Sequence, residues 1–260
     1  GDSSSISLDD VKEILSNAGV EDIREVRDLL VRLGVWEEDE NRDLLRLGVD
    51  TVFTPDQFHE ASRLAASDFN REGREDLRDL SCMTIDSALT RDYDDAMSLK
   101  VNGDRIHLGV HIADVTDVIT PGSLLDQAAR QRASSHYLPR RQIPMIPEVL
   151  SQDALSLKQG CDRPAVSLLA TFDPKGRLLD HRFTRSIIRV RRQLSYTTVE
   201  ETYEKEESLT RLSDLSQTLR QQRMNQGALN LSLPELEVRF NPDQTVSLEF
   251  IEQDTRARMI

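Results

Sequence analysis

The chain has 260 residues, 38% of them hydrophobic and 30% charged, with 46 Asp and Glu against 33 Lys and Arg and a net charge of −13. No apolar run approaches the roughly 18 residues a membrane-spanning helix needs, and the amino terminus GDSSSISLDD lacks the basic and apolar regions of a signal peptide. Two cysteines, Cys82 and Cys161, can form at most one disulfide, which excludes a secreted disulfide scaffold and leaves a cytoplasmic soluble protein as the expectation.

Residues 1–70 read as short amphipathic helices. Ser7 with Asp10 fits a capping box, and Leu8, Val11, Ile14 and Leu15 recur at helical spacing up to Gly19. A second helix carries Ile23, Val26, Leu29, Leu30 and Leu33 and stops at Gly34. After the acidic run Glu37–Glu40 and the turn before Pro55, a third carries Phe58, Ala61, Leu64 and Ala65. The set predicts either a small all-α helix-turn-helix or winged-helix-like module, or a helical prop packed on the next domain. Residues 1–50 hold 14 acids and 6 bases, which makes duplex DNA an unsuitable partner.

From about residue 80 the period changes to two. Met97, Leu99 and Val101 alternate, Asn102-Gly103 signals a hairpin, and Ile106, Leu108, Val110 and Ile112 alternate back. Residues 123–133 look helical, and a Pro-rich connection follows around Pro139, Pro144 and Pro147. Val166, Leu168, Ala170 and Phe172 form a strand that turns at Asp173-Pro174-Lys175-Gly176 into a long partner through Val190. A charged helix fills much of 197–225, with Leu209, Leu212, Leu215 and Leu219 as its apolar stripe, and ends near Gly227. A last hairpin runs Leu236–Phe240, turns at Asn241-Pro242-Asp243 and returns through Val246, Leu248 and Phe250; Asp254 and Thr255 then open a further helix. These elements predict an α+β fold, a mixed or antiparallel sheet with packed helices.

One stretch is basic. Residues 130–192 hold 13 bases against 5 acids, and Arg182, Arg185, Arg189, Arg191 and Arg192 follow one another with no acid between them. Such a row is either a phosphate-binding surface or a solvated face.

The sharpest chemical signal is Thr84-Ile85-Asp86-Ser87-Ala88-Leu89-Thr90-Arg91-Asp92-Tyr93-Asp94-Asp95-Ala96, four carboxylates just before a predicted strand. An extended segment places Asp92 and Asp94 on one side, and a local turn brings Asp86 and Asp95 to the same point. Bare carboxylates about 4 Å apart repel by roughly 4 kcal/mol at an effective dielectric near 20. The cluster is therefore spread out, partly protonated or neutralised by a cation, and all-oxygen ligands without nearby His or Cys suit Mg²⁺ or Mn²⁺. A metal beside a row of arginines implies phosphoryl chemistry; the alternative is an acidic surface loop without metal. The cysteines and histidines form no pair at zinc-ligand spacing, and His111 and His136 read as structural or substrate-facing.

At these residues the sequence resembles the catalytic (RNB) domain of the ribonuclease II and ribonuclease R exoribonucleases. The family's Thr-Ile-Asp opening and, five residues on, its Asp-x-Asp-Asp-Ala are filled by Asp86, Asp92, Asp94 and Asp95. Further matches keep the family's order: His111-Ile112-Ala113-Asp114-Val115, Tyr137-Leu138-Pro139, Ile143-Pro144-Met145-Ile146-Pro147, Leu155-Ser156-Leu157, Leu194-Ser195-Tyr196 and Gly227-Ala228-Leu229. The resemblance covers about residues 74–260 and implies processive 3′→5′ hydrolysis of single-stranded RNA to nucleoside 5′-monophosphates with Mg²⁺. It implies Asp86, Asp92 and Asp95 as metal ligands and Asp94 as the catalytic aspartate that orients or deprotonates the attacking water. Tyr137 then stacks near the RNA 3′ end, and Tyr196 lines the same channel. The family's arginine-rich segment, its carboxy-terminal oligonucleotide-binding barrel and its amino-terminal cold-shock barrels have no counterpart here. The expectation is therefore a catalytic domain truncated on its carboxy-terminal side, with a catalytically weak or inert RNA-binding relative as the alternative.

Overall fold

In a computed structural model of the chain, the described residues are 8–260 apart from positions 18, 21, 39, 140, 232, 234, 241, 242, 244 and 253. The Ser7 cap and the turn at Asn241-Pro242 expected from the sequence lie outside them. Contacts divide the chain into two units, residues 1–50 and 51–260. Among the described residues no helix is long and apolar enough to cross a membrane.

The first unit holds α1 (Leu8–Asn17), α2 (Ile23–Arg32) and α3 (Arg42–Leu47), and no strand among its described residues. Helix α3 was not anticipated. The Asn41 side chain accepts from the backbone N–H of Asp43 and Leu44 at its start, and Gly48 ends it in the left-handed conformation.

Helix α4 (Pro55–Ala65) is closed at its start by a capping box: Gln57 N–H donates to Thr54 Oγ1 (3.3 Å), and Thr54 N–H donates to Gln57 Oε1 (2.9 Å). Periodicity placed this helix in a module of residues 1–70, and the structure corrects that boundary. Ala61, Leu64 and Ala65 pack with Ile119, Leu125, Ile146, Leu150 and Leu155 in a core of the second unit. An apolar stripe shows that a helix is packed, not against what.

The second unit is built on strands β1 (Glu75–Asp76), β2 (Cys82–Asp86), β3 (Asp95–Asn102), β4 (Arg105–Ala113), β5 (His136–Tyr137), β6 (Gln142–Ile143), β7 (Asp162–Phe172) and β8 (Leu178–Ser195). The β3–β4 hairpin turns where expected, with Gly103 at φ 58°, a conformation open to glycine. Pairing then runs β2–β3–β4–β7–β8, antiparallel throughout. Strand β8 is 18 residues long; it pairs with β7 up to Arg189 and, in parallel, with β2 from Val190 to Ser195. That second pairing closes the five strands into a ring, with β1 added in parallel on β8. Helices α5 (Leu124–Arg132), α6 (Tyr196–Thr202), α7 (Glu207–Asn225) and α8 (Arg256–Met259), the hairpin β9 (Glu235–Phe240) with β10 (Val246–Ile251), and a π-helix at Val149–Ala154 complete the unit. The single helix expected over 197–225 is two helices, with the break at residues 203–206.

The inner face of the ring carries small and polar side chains. Ser98 Oγ lies 3.0 Å from His111 Nε2, His111 Nδ1 lies 2.7 Å from Ser167 Oγ, and Ser167 Oγ lies 2.7 Å from Ser186 Oγ. All four residues are buried, so each polar group finds its partner within the chain. Gly109 makes room for them: a Cβ there would stand 2.4 Å from Ser98 Oγ and 2.6 Å from His111 Nε2.

A buried ion cluster fixes the ring's flank. Arg74 donates to Asp114 Oδ2 (2.7 Å), Asp117 Oδ1 (2.6 Å) and the Asn70 carbonyl (2.7 Å). The Arg74, Asp114 and Asp117 side chains are 0–2% exposed. Burial alone would raise the Asp114 carboxyl, but the Thr116 hydroxyl and then the Arg74 and Arg185 guanidinium groups bond to it and hold it below the usual carboxylate range. Arg74→Ala leaves Asp114 and Asp117 with Arg185 as their cation, half exposed, in place of a fully buried one, and is expected to cost roughly 3 kcal/mol of unfolding free energy, measured by urea titration.

Burial pushes His111 down from 6.5 to about 4. The unfolded chain therefore binds a proton that the folded chain refuses between those two values, so this contribution is complete above pH 6.5 and is lost as the pH falls towards 4. Urea midpoints of the wild type are expected to drop across that interval by the equivalent of about 3 kcal/mol more than those of His111→Gln.

Candidate active site

Strand β2 ends in Asp86, β3 begins with Asp95, and the loop between them carries Asp92 and Asp94, so all four carboxylates lie at one end of the ring. The loop starts with a turn in which Thr90 N–H donates to the Ser87 carbonyl (3.0 Å). Its second half is clamped from outside. The buried Ser156 hydroxyl accepts from Tyr93 N–H (3.0 Å) and donates to the Arg91 carbonyl (3.3 Å), while Leu157 N–H donates to the Tyr93 carbonyl (2.8 Å). These bonds bracket Asp92 on both sides in sequence.

Asp92 is also held through its side chain. Its Oδ2 accepts from the Tyr137 hydroxyl (2.6 Å) and from Gln142 Nε2 (3.0 Å), and Gln152 Nε2 donates to Gln142 Oε1 (3.1 Å). Gln152 comes from the π-helix and Tyr137 and Gln142 from the β5–β6 pair, so two small elements invisible to periodicity orient this acid. The Tyr137 ring is 66% exposed, and burial of its hydroxyl together with the Asp92 contact pushes it up to about 12.

The other acids carry their charge with less help. Asp86 Oδ2 is buried without a hydrogen-bond partner, as are Thr84 Oγ1 and Gln193 Nε2. Thr84 lies beside Gln193 and Asp86 beside Ser195 in the parallel β2–β8 pair, so the three orphaned atoms belong to one face of the sheet. Burial, then the charge of Asp95, pushes Asp86 up to about 6. Asp94 is exposed on one side yet crowded on the others, and burial followed by Asp92 and Asp95 pushes it up to about 6. As placed, no three described His, Cys, Asp or Glu side chains stand close enough to share one metal ion.

Tyr196 opens α6 directly after Ser195, which puts it at the same end of the ring as Asp86. The Arg258 guanidinium stands 4.6 Å from its ring centroid, and the ring packs against the core of Met83, Leu194 and Val199. The two tyrosines thus differ: Tyr137 is tied to the acid loop and Tyr196 to α8.

The arginine row of β8 is ion-paired along its length. Arg182 binds Glu75 through two 2.7 Å bonds, Arg185 reaches Asp114 (3.2 Å), Arg189 Asp162 (2.7 Å) and Arg192 Glu206 (2.5 and 2.9 Å). Arg191 donates to the Arg78 carbonyl (3.0 Å). The row is thus closer to the solvated face of its two sequence interpretations, with its half-exposed guanidinium groups paired to acids from distant elements.

The profile of the RNB domain matches residues 74–260. The chain belongs to the RNB-domain family. It is 41% identical over 193 residues to ribonuclease R of Chlamydia muridarum, covering 69% of this chain and 28% of that protein. An uncharacterised ribonuclease of Synechocystis is 31% identical over 259 residues, 96% of this chain and 38% of its own length. Among solved structures, Mycoplasma genitalium RNase R in complex with ribose-methylated single-stranded RNA superposes with a TM-score of 0.75 at 27% identity, over 83% of this chain and 36% of that one. The RNB chain thus spans less than two fifths of the length of these relatives.

Sequence reasoning quoted Ser156 only as part of a motif and gave no role to Gln142, Gln152 or Gly109. The order in which such residues meet in space is set by the ring's closure, for which a single chain gives no pattern. Asp94→Asn removes one of the crowded charges and is expected to raise the stability of the chain in EDTA at pH 7–8 by up to about 1 kcal/mol, the scale of an exposed charge interaction, as a higher urea midpoint.

Proposed function

We propose that the protein containing this chain is an exoribonuclease that degrades single-stranded RNA processively from the 3′ end and releases nucleoside 5′-monophosphates with Mg²⁺, or Mn²⁺ in its place. The observation that carries this reading is the gathering of Asp86, Asp92, Asp94 and Asp95 at one mouth of the closed sheet, with Tyr137 bonded to Asp92. The single-stranded RNA in the Mycoplasma RNase R complex supports the substrate class.

The residues fit a hard divalent cation. The donors are all carboxylate oxygens, and one of them, Asp86 Oδ2, is buried without a partner. Asp86, Asp92 and Asp95 would hold the ion once drawn together around it, since as placed no three described side chains share a position for one. Bound there, it supplies Lewis-acid polarisation of the phosphodiester and an activated water.

The chain's own groups do the rest. The Asp94 carbonyl accepts from Ala113 N–H (2.8 Å), but its carboxylate has no hydrogen bond among the described residues and the residue is exposed, which leaves the carboxylate to orient the attacking water. Tyr137 offers an exposed ring for base stacking, worth roughly 1–3 kcal/mol per base, while its hydroxyl stays on Asp92. Ser156, Gln142 and Gln152 hold the loop backbone at Tyr93 and the Asp92 carboxylate in place, which limits the reorganisation the site undergoes.

A second reading, a relative that grips RNA without cutting it, draws on the arginine row, whose charges are committed to Glu75, Asp114, Asp162 and Glu206. Digestion of 3′- and 5′-labelled RNA by the full-length protein separates the two. The nuclease reading expects mononucleotides from the 3′ label with Mg²⁺ and none with EDTA. Asp94→Asn is expected to slow cleavage by at least about 100-fold while RNA affinity changes by less than roughly threefold. Cleavage by Asp94→Asn at the wild-type rate would falsify the role given to that residue.

A further inference from the structure

Beside the acid loop lies an open groove of about 500 Å³ lined by Arg91, Tyr93, Gln152, Lys158, Gln159, Cys161 and Gln193. Its walls come from elements already tied together. Arg91 and Tyr93 flank Asp92, Gln152 belongs to the π-helix, and Lys158 to Cys161 lead into β7 with Gly160 N–H bonded to the Val190 carbonyl (2.9 Å). The groove is therefore preformed.

The chemistry of the lining is that of a nucleotide site. Arg91 is exposed and makes no side-chain hydrogen bond or ion pair among the described residues. Lys158 supplies a second cation, with Asp153 2.7 Å away as its counter-charge. Gln193 brings a buried amide N–H group that has no acceptor among the described residues, a desolvated donor that a ligand acceptor would satisfy. Gln152 and Gln159 add amides able to read a base edge, and Tyr93 adds a ring face.

We infer that this groove binds a nucleoside 5′-monophosphate, with the phosphate on Arg91, Lys158 and Gln193 and the nucleoside against Tyr93, Gln152 and Gln159. The phosphomonoester can come from a released mononucleotide or from the 5′-phosphorylated end of a strand, and the inference commits to the mononucleotide because the volume is of single-nucleotide scale. This rests on the reading of the protein as a mononucleotide-releasing nuclease. The groove also shares Gln152 with the relay Gln152–Gln142–Asp92, so a ligand there touches the residue that orients the acid loop.

The test is calorimetric titration of the chain in EDTA with AMP, adenosine, inorganic phosphate and a 5′-phosphorylated oligoribonucleotide. AMP is expected to saturate one site, with adenosine and phosphate each at least about tenfold weaker, the loss of one or two charge-assisted hydrogen bonds. Gln193→Leu and Arg91→Ala are each expected to weaken AMP about tenfold, with the melting midpoint of Gln193→Leu no lower than the wild type's and that of Arg91→Ala unchanged. Should Gln193→Leu fail to fold, exposed Arg91→Ala decides alone. AMP that does not saturate, variants that bind it as the wild type does, phosphate that binds as tightly as AMP, or an oligonucleotide that displaces AMP at equal concentration would each overturn the inference. If AMP binds and full-length protein releases no mononucleotides, the nuclease reading fails and the site stands; if the reverse holds, only the site fails.

Discussion

Strand β8 hydrogen-bonds β7 along one edge and β2 along the other, and the placement of every site residue follows from that double engagement. The parallel β2–β8 register puts Asp86 next to Ser195, and the antiparallel β2–β3 register returns the chain to Asp95 at the same end. Without closure the face that carries Ser98, His111, Ser167 and Ser186 would expose them together with the apolar cluster of Cys82, Leu157, Ile188 and Val190. With closure, those small polar groups satisfy each other.

The ring therefore has two kinds of polar interior. In the middle, Ser98, His111, Ser167 and Ser186 are fully partnered and neutral, and this part confers stability. At the mouth, Thr84, Asp86 and Gln193 hold atoms without partners, next to acids that repel one another. Local departures from polar satisfaction concentrate where function needs open valences. The Ser156 clamp and the Arg74 cluster lie on either side of this mouth in sequence and supply the order that the acids themselves oppose.

Much of this was legible in the residues. The β3–β4 and β7–β8 hairpins announce themselves through alternation and turn chemistry, and α7 keeps its Leu209, Leu212 and Leu215 buried as the spacing requires. The acids were visible because they are adjacent in sequence. What stayed hidden is of two sorts. Elements of two to six residues, such as α3, β5, β6 and the π-helix, are too short for a period to show. Long-range partners, such as Glu75 for Arg182 or Ser156 for the loop at Tyr93, depend on how strands line up after closure. The row of arginines misled for this second reason, since its neutralising acids lie up to 107 residues away.

That internal neutralisation has a consequence for how the segment meets a polyanion. Arginines already engaged by Glu75, Asp114, Asp162 and Glu206 displace few condensed counterions when RNA arrives, and the strength of association tracks the number of ions set free. On the proposed reading, RNA binding by this segment would be governed by stacking and shape, with a shallow dependence on ionic strength.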